Sequence, residues 1–160
     1  MFKVGTDKVL TSVQHLQDEN KSLKLQIEQY QKAAILQLKN DLKQRIVEKD
    51  GAAWLLTKLD VENANQVKDL AYQLKGEVKN LIFVAGADIA GKANLTVMFA
   101  QELVEEFGLH AGNIIREAAK EIQGGGGGQP FFASAGGRNP EGIEKALQKA
   151  EEMIIEKLKA

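Results

Sequence analysis

The chain has 160 residues, of which 44% are hydrophobic and 27% charged, and its net charge at pH 7 is −1. This length fits one domain with an extension. The near-neutral charge excludes a protein held on nucleic acid by bulk charge alone, although it leaves room for a local basic patch. The absence of cysteine excludes disulfides and thiolate metal sites. His15 and His110 are too far apart in sequence to suggest a zinc site.

The sequence predicts a cytoplasmic protein without a membrane partner. No apolar run approaches the ~18–20 residues that cross a bilayer, and residues 1–10 contain no signal-peptide core. Helix-like sequence begins almost at once, which suggests a piece of a longer protein to which Met1 was added.

Residues 1–50 are predicted to form a long helical arm. Residues 7–48 contain neither proline nor glycine and are rich in helix-forming residue types. Apolar or neutral side chains recur with the 3-4 spacing of a coiled-coil seam at Val13, Leu16, Asn20, Leu23, Ile27, Tyr30 and Ala34. The pattern then shifts to Ile35, Leu38, Leu42 and Ile46, which favours a change of partner or a helical hairpin that breaks near residues 32–34. Asn20 either fixes the register of a dimer or faces water.

Residues 51–160 are predicted to form an α/β or α+β globular domain. Asp50 and Gly51 end the arm, and strands are predicted at Ala52–Leu59, at residues 81–85 and at residues 95–100, with a turn at residues 88–91. A helix capped by Asn63, with Gln66 three residues later, ends near Gly76. A further helix is predicted at residues 114–122, and a last one starts at Asn139 as N-cap with Pro140 in its first turn.

The segment with the strongest functional signal is Gly124–Gly128, followed by Gln129 and Pro130 and then by Gly136 and Gly137. Five consecutive glycines favour neither a helix nor a good strand, so a ligand-facing loop is predicted. The alternative is a flexible linker. The lack of serine in the run, its position inside the domain and the second glycine pair count against that alternative.

Bare backbone allows a close approach to phosphate, ribose or a base. The helix starting at Pro140, together with Arg138 and Lys92, would add positive charge nearby. Phe131 and Phe132 are candidates for base stacking, with at most one of them exposed, whereas Tyr72 is expected in the core or at its rim. The run is neither a Walker loop nor a Rossmann fingerprint, because no Lys-Ser/Thr follows it and it follows a helix. On this hypothesis, Gly126→Val damages RNA binding without changing the oligomeric mass.

The glycine run, Pro130, Ala133, Ala135 and the pair Gly136–Gly137, preceded by Ala111 and Gly112, resemble the C-terminal domain of alanyl-tRNA synthetase. The resemblance implies a non-catalytic tRNA-binding domain that holds the outer corner of alanine-specific tRNA. In the full enzyme, an alanine–tRNA ligase, this domain helps upstream aminoacylation and editing domains to cooperate, and its helical part supports a homodimer. No cofactor is expected in this chain, and the full enzyme is expected to use ATP and zinc. Gln129 departs from the family, in which arginine is common before the proline.

A related domain follows the catalytic domain of DHH-type phosphoesterases, where a histidine follows the glycines. Gln129 and Pro130 take that place here, and the chain has no aspartate–histidine cluster, so a nuclease is disfavoured. Two hypotheses remain: a tRNA-binding domain and a homo-oligomerisation module that acts through the seam of the arm. The predicted RNA-contacting residues are Gly124, Gly125, Gly126, Gly127, Gly128, Gln129, Pro130, Gly136, Gly137, Arg138 and Lys92.

Overall fold

The computed structural model describes residues 5–160. The chain divides into two compact units with the boundary between Asn40 and Asp41, earlier than the predicted boundary between residues 50 and 51. Residues 1–4 of the predicted arm, including Met1, lie outside the described residues. Helix α1 (Thr6–Gln44) has 39 residues and therefore spans about 59 Å at 1.5 Å per residue. Because α1 runs without interruption through residues 32–34, the hairpin alternative is wrong.

The predicted seam lies on the surface of α1. Its large apolar members are between 46% and 76% exposed, and they are Val13, Leu16, Leu23, Ile27 and Tyr30. Ala34 is exposed too. Asn20 is exposed as well. The seam therefore contributes nothing to a core within the chain, as expected for an apolar stripe too narrow to fold by itself.

The end of the arm differs from the prediction. α1 ends at Gln44, and strand β1 (Val47–Lys49) follows it, antiparallel to β2 (Ala52–Leu59). Asp50 and Gly51 connect these strands, and both have positive φ, 55° and 77°. An Asp-Gly pair with two positive φ angles suits a two-residue hairpin turn. The pair therefore closes a hairpin, and the predicted helix through Glu48 is wrong over its last residues.

One mixed sheet of six strands forms the second unit, in the order β1-β2-β3-β4-β6-β5. The remaining strands are β3 (Leu81–Ile89), β4 (Lys92–Phe99), β5 (Gly124–Gly128) and β6 (Phe132–Gly137). β2 and β3 are parallel and are joined through helix α2 (Ala64–Glu77), whereas every other pair is antiparallel. The predicted α+β class with a preceding long helix is confirmed. Ala52–Leu59 matches its predicted bounds, and residues 81–85 are buried as predicted.

Helices cover both faces of the sheet. α2 packs against β3 and β4 through Val67, Leu70, Ala71 and Leu74. On the other face, α4 (Ala111–Ala118) and α5 (Ile143–Lys159) share one buried cluster with alternate residues of the strands. Side chains alternate across a strand, which explains why Ile82 and Val84 belong to that cluster while Phe83 does not.

The two predicted helix caps have different outcomes. The Asn63 side chain accepts a hydrogen bond from the Gln66 backbone N–H at 3.1 Å, so this cap is confirmed. The Asn139 side chain makes no capping bond, and its amide donates to the Glu121 carbonyl oxygen at 3.4 Å instead. The 3₁₀ turn Pro140–Gly142, which leads into α5, has Asn139 at its N-cap position and Pro140 in its first turn, so the predicted helix start is confirmed and only the side-chain capping bond is absent.

Two further helix boundaries depart from the prediction. The helix predicted at residues 114–122 is α4, which starts at Ala111 and ends at Ala118. Gln123, with φ of 51°, lies in the turn that leads into β5. Helix α3 (Gln101–Phe107) was not predicted and ends at Gly108 in the left-handed conformation.

Candidate nucleic-acid interface

The glycine run forms the edge strand β5, so the predicted loop is wrong. β5 pairs with β6 in register from Gly124 opposite Gly137 to Gly128 opposite Ala133. The first N–H of the strand, that of Gly124, donates to the Ala119 carbonyl oxygen at 3.0 Å. Pairing with β6 and packing of α4 against the strand supply the order that glycine lacks by itself. The flexible-linker alternative does not fit a paired strand.

The five glycines of β5 differ in what their surroundings allow. A Cβ atom at Gly126 would lie 2.5 Å from the Ala135 Cα, and one at Gly128 would lie 2.6 Å from the Ala133 Cα. A Cβ atom at Gly124 would likewise lie 2.5 Å from the Gly137 Cα. A Cβ atom at Gly125 would meet nothing within 4 Å, and at Gly127 it would meet only Arg116 Nε, at 4.0 Å. Packing within the domain therefore explains why Gly124, Gly126 and Gly128 are glycine. It does not explain the glycines at positions 125 and 127.

Helix α4 begins against this strand. The Ala111 N–H donates to the Pro130 carbonyl oxygen at 2.8 Å, and a Cβ atom at Gly112 would lie 2.7 Å from the Gly128 carbonyl oxygen. His110 Nδ1 accepts from the Asn113 N–H at 3.3 Å and so caps the helix. The residues Ala111 and Gly112 therefore serve the close packing of α4 on the hairpin.

The turn between β5 and β6 is held by backbone hydrogen bonds. The Gln129 N–H donates to the Phe132 carbonyl oxygen at 2.7 Å, and the Phe131 carbonyl oxygen accepts from the Phe99 N–H at 2.9 Å. Gln129 is exposed and Pro130 is half-buried. The predicted contact residues of this turn therefore lie on a fixed backbone.

The predicted cations lie at the opposite end of the hairpin. Arg138 directly follows Gly137, and Lys92 directly precedes Ala93, which pairs with Gly137. Both cations are exposed, as is Gly136, and Gly137 is half-buried. The helical segment that starts at Pro140 follows Arg138 by two residues, and its contribution of positive charge stays a prediction. Arg138 thus directly follows the partner residue of Gly124, whereas Lys92 lies on β4, which β6 separates from β5.

Arg116 is a further cation beside β5 that sequence reasoning missed. It lies on α4, is exposed, and donates from its guanidinium to Asn113 Oδ1 at 3.4 Å. Lys120, one turn later, donates to Glu117 Oε2 at 2.6 Å. This hydrogen bond and the Lys120 charge lower the pKa of Glu117. Lys120 is thus paired with Glu117 at the surface, whereas Arg116 Nε lies 4.0 Å from the position of a Cβ atom at Gly127.

A second group of side chains lies at the turn end of the hairpin, where Phe131 and Phe132 meet α2. The Tyr72 and Phe132 rings stack with centroids 5.6 Å apart and an interplanar angle of 30°. Lys75 Nζ lies 5.0 Å from the Phe131 ring centroid, and Lys68 Nζ lies 5.9 Å from that of Phe132. Both phenylalanines are half-buried, and Tyr72 is 42% exposed. Sequence reasoning selected the two phenylalanines as stacking candidates but missed their contact with Tyr72 and the lysines, because α2 and the hairpin are distant in the sequence.

Among residues 5–160, no cluster of three or more histidine, cysteine or acidic side chains is arranged to hold a metal ion. No helix within the same residues is long and apolar enough to cross a membrane.

Comparison with known proteins identifies relatives of this fold. The DHHA1 domain model matches residues 51–156. The alanine–tRNA ligase of Christiangramia forsetii is 48% identical over 143 residues, which cover 89% of this chain and 16% of that protein. The alanine–tRNA ligase of Bacteroides fragilis is 47% identical over 137 residues, which cover 85% of this chain and 16% of that protein. The chain thus spans about a sixth of the length of these ligases.

A solved structure has the same fold. The C-Ala domain from Aquifex aeolicus alanyl-tRNA synthetase superposes with a TM-score of 0.53 and 23% identity, covering 63% of this chain and 87% of that one. The resemblance that the glycine motif predicted is confirmed by these matches.

Proposed function

The chain belongs to the DHHA1 domain family, and from that membership we propose that it is a tRNA-binding C-terminal domain of an alanine–tRNA ligase. Similarity over most of the chain to alanine–tRNA ligases supports this proposal. The domain holds the outer corner of alanine-specific tRNA and helps the upstream aminoacylation and editing domains to act on one tRNA in the cytoplasm. ATP and zinc belong to those other parts of the enzyme.

The observation that carries the proposal is the open space above Gly125 and Gly127. Both positions have room for a methyl group, yet both are glycine in a strand where alanine would lose less backbone entropy on folding. A ligand that approaches the backbone closely explains this choice. Arg116 beside Gly127 and Arg138 next to Gly137 supply cations for phosphates near the strand, and Lys92 adds a cation one strand further away, on β4. Recognition by shape and backbone contacts suits a folded RNA.

An anisotropy titration of the whole chain with tRNA tests the proposal. Gly125→Ala adds one methyl group that the fold accommodates, so it should weaken tRNA binding roughly tenfold, equivalent to ~1.4 kcal/mol. Gly5→Ala, at another glycine with nothing within 4 Å, is the matched control and should bind as the unchanged chain does. The absence of tRNA binding by folded protein at low salt would refute the function, and unchanged binding by Gly125→Ala would refute the close approach.

The exposed seam of α1 favours a second candidate function, homo-oligomerisation through the arm. Val13, Leu16, Leu23 and Ile27 are each at least 46% exposed within one chain. A second copy of the helix would bury them with the 3-4 spacing of a coiled coil. This function is compatible with tRNA binding, because the seam and the glycine strand are formed by different residues.

A further inference from the structure

The group of side chains at the turn end of the hairpin is an aromatic–lysine patch made of Lys68, Tyr72, Lys75, Phe131 and Phe132. The three α2 residues are spaced at i, i+4 and i+7, which places them along one side of the helix. Their partners follow Gln129 and Pro130 directly, so the patch continues from the end of the glycine strand.

We propose that this patch is a stacking platform for an unpaired nucleobase of RNA, with Lys68 and Lys75 binding the adjoining phosphates. The proposal rests on the proposed tRNA-binding function. It adds a second contact site, at the turn end of the hairpin, and a second type of contact, base stacking, which the glycine strand does not provide.

Tyr72 is available for a ligand and is not needed by the core. The buried face of α2 consists of Val67, Leu70, Ala71 and Leu74. Tyr72 is 42% exposed even though its ring stacks on Phe132, so a large part of the phenol remains free for a second flat partner. Stacking on Phe132 also holds the tyrosine ring in place, which lowers the entropy lost when a base binds.

The charges favour a nucleotide over an uncharged apolar ligand. Lys75 Nζ and Lys68 Nζ are held at 5.0 Å and 5.9 Å from the phenylalanine ring centroids. Within residues 5–160, neither ammonium group has a salt-bridge partner. The carboxylate of Glu77, at the end of α2, is bound by Lys43 at 2.6 Å. Positive charge next to exposed π surface is the combination that binds a base together with its phosphates.

The position of the patch fits one continuous RNA path. β6 runs from Phe132 in the patch to Gly137, next to Arg138 and Lys92. Five residue steps of strand separate the two ends, about 17 Å at ~3.4 Å per residue. Phosphates at the Arg138 end and an unpaired base on Tyr72 can therefore belong to the same RNA.

The experiment measures binding of two probes, a tRNA and the single-stranded hexanucleotide hexa-adenylate, to the whole 160-residue chain by fluorescence anisotropy. Tyr72→Ala removes the ring, Tyr72→Phe keeps the ring without the hydroxyl, and Gln73→Ala changes the next exposed residue of α2. Circular dichroism melting establishes that each variant is folded. Tyr72→Ala should weaken hexa-adenylate binding roughly 5- to 100-fold. Tyr72→Phe should restore most of that loss because it keeps the ring, and Gln73→Ala, outside the patch, should bind as the unchanged chain does.

The possible outcomes separate this inference from the proposed function. If tRNA binds and Tyr72→Ala weakens neither probe, the platform is refuted while tRNA binding stands. If hexa-adenylate binds through Tyr72 but tRNA does not bind, the platform is supported and the proposed function is refuted. If the folded chain binds neither probe, both are refuted. A patch that instead docks another protein would refute only the platform, because the glycine strand is a separate contact for tRNA.

Discussion

Gly126 and Ala135 face each other across β5 and β6 so closely that a Cβ atom on Gly126 would stand 2.5 Å from the Ala135 Cβ. The same arrangement recurs at Gly124 and Gly128, every second residue along the strand. Because strand residues alternate in orientation, Gly125 and Gly127 point into open space instead. Packing against β6 therefore requires glycine at Gly124, Gly126 and Gly128, whereas Gly125 and Gly127 leave an open backbone surface.

The first prediction separates these two kinds of glycine by stability. Gly126→Ala should lower the free energy of unfolding by about 1–3 kcal/mol, because β5 must move away from β6 to admit the methyl group. Gly125→Ala should leave stability unchanged or raise it by up to ~1 kcal/mol, because alanine restricts the unfolded chain. Urea unfolding followed by circular dichroism measures both. Equal losses for the two variants would contradict the alternation.

This difference also affects how the glycine strand is tested. The sequence suggested Gly126→Val as a variant that damages RNA binding alone. Valine at that position would place its Cβ against the Ser134 carbonyl oxygen and the Ala135 backbone. If Gly126→Val abolished RNA binding, the loss would therefore not distinguish disturbed pairing of β5 with β6 from a lost RNA contact. Gly125→Ala tests the open backbone surface of β5 without disturbing the pairing of β5 with β6.

Local signals predicted those elements whose boundaries are marked in the sequence. β2 matches its predicted bounds because the Asp50–Gly51 turn precedes it and Asn63, the cap of α2, follows it. β5 was missed because its order comes from pairing with β6 and from packing of α4, and not from the glycines themselves. No propensity rule makes five glycines a strand.

Some residues of the candidate interface could likewise be predicted from the sequence, and others could not. The glycine residues, Lys92 and Arg138 could be selected from the sequence because residue type and spacing suggest a bare surface with nearby cations. The two phenylalanines could also be selected as stacking candidates, but the contact of Tyr72 with Phe132 could not be predicted, because it depends on β6 lying between β4 and β5. That strand order is fixed by pairing across the whole domain, and local pattern carries no information about it.

The second prediction concerns the two asparagine residues that resemble helix caps. Asn63→Ala should destabilise the domain by about 1 kcal/mol, because the N–H of Gln66 loses its acceptor. Asn139→Ala should cost less, since its side chain makes only a 3.4 Å hydrogen bond to the Glu121 carbonyl oxygen and caps nothing. Thermal unfolding of both variants under one condition gives the comparison. A larger loss for Asn139→Ala would mean that the asparagine stabilises the Pro140 turn in another way.

The third prediction addresses the cations at the Gly124 end of the hairpin. Arg138→Ala and Lys92→Ala should each weaken tRNA binding and reduce the slope of log affinity against log salt by about 0.7–1, as expected for one lost phosphate contact. Titrations at several salt concentrations measure the slope. Lys145→Ala, an exposed lysine of α5, is the control and should leave the slope unchanged. An equal effect of Lys145→Ala would indicate general charge attraction and not a defined contact.

The fourth prediction tests whether the seam of α1 joins two copies of the chain. Leu23→Glu should abolish self-association, because a charge at a seam position cannot be buried between two helices without a large desolvation cost. Leu25→Glu is a matched control, since Leu25 is 54% exposed and Leu23 is 51% exposed, but only Leu23 belongs to the 3-4 pattern. Sedimentation equilibrium at high micromolar concentration measures the mass of both variants and of the unchanged chain. A monomeric unchanged chain would remove the dimer hypothesis, and loss of the dimer in both variants would show that association does not follow the seam.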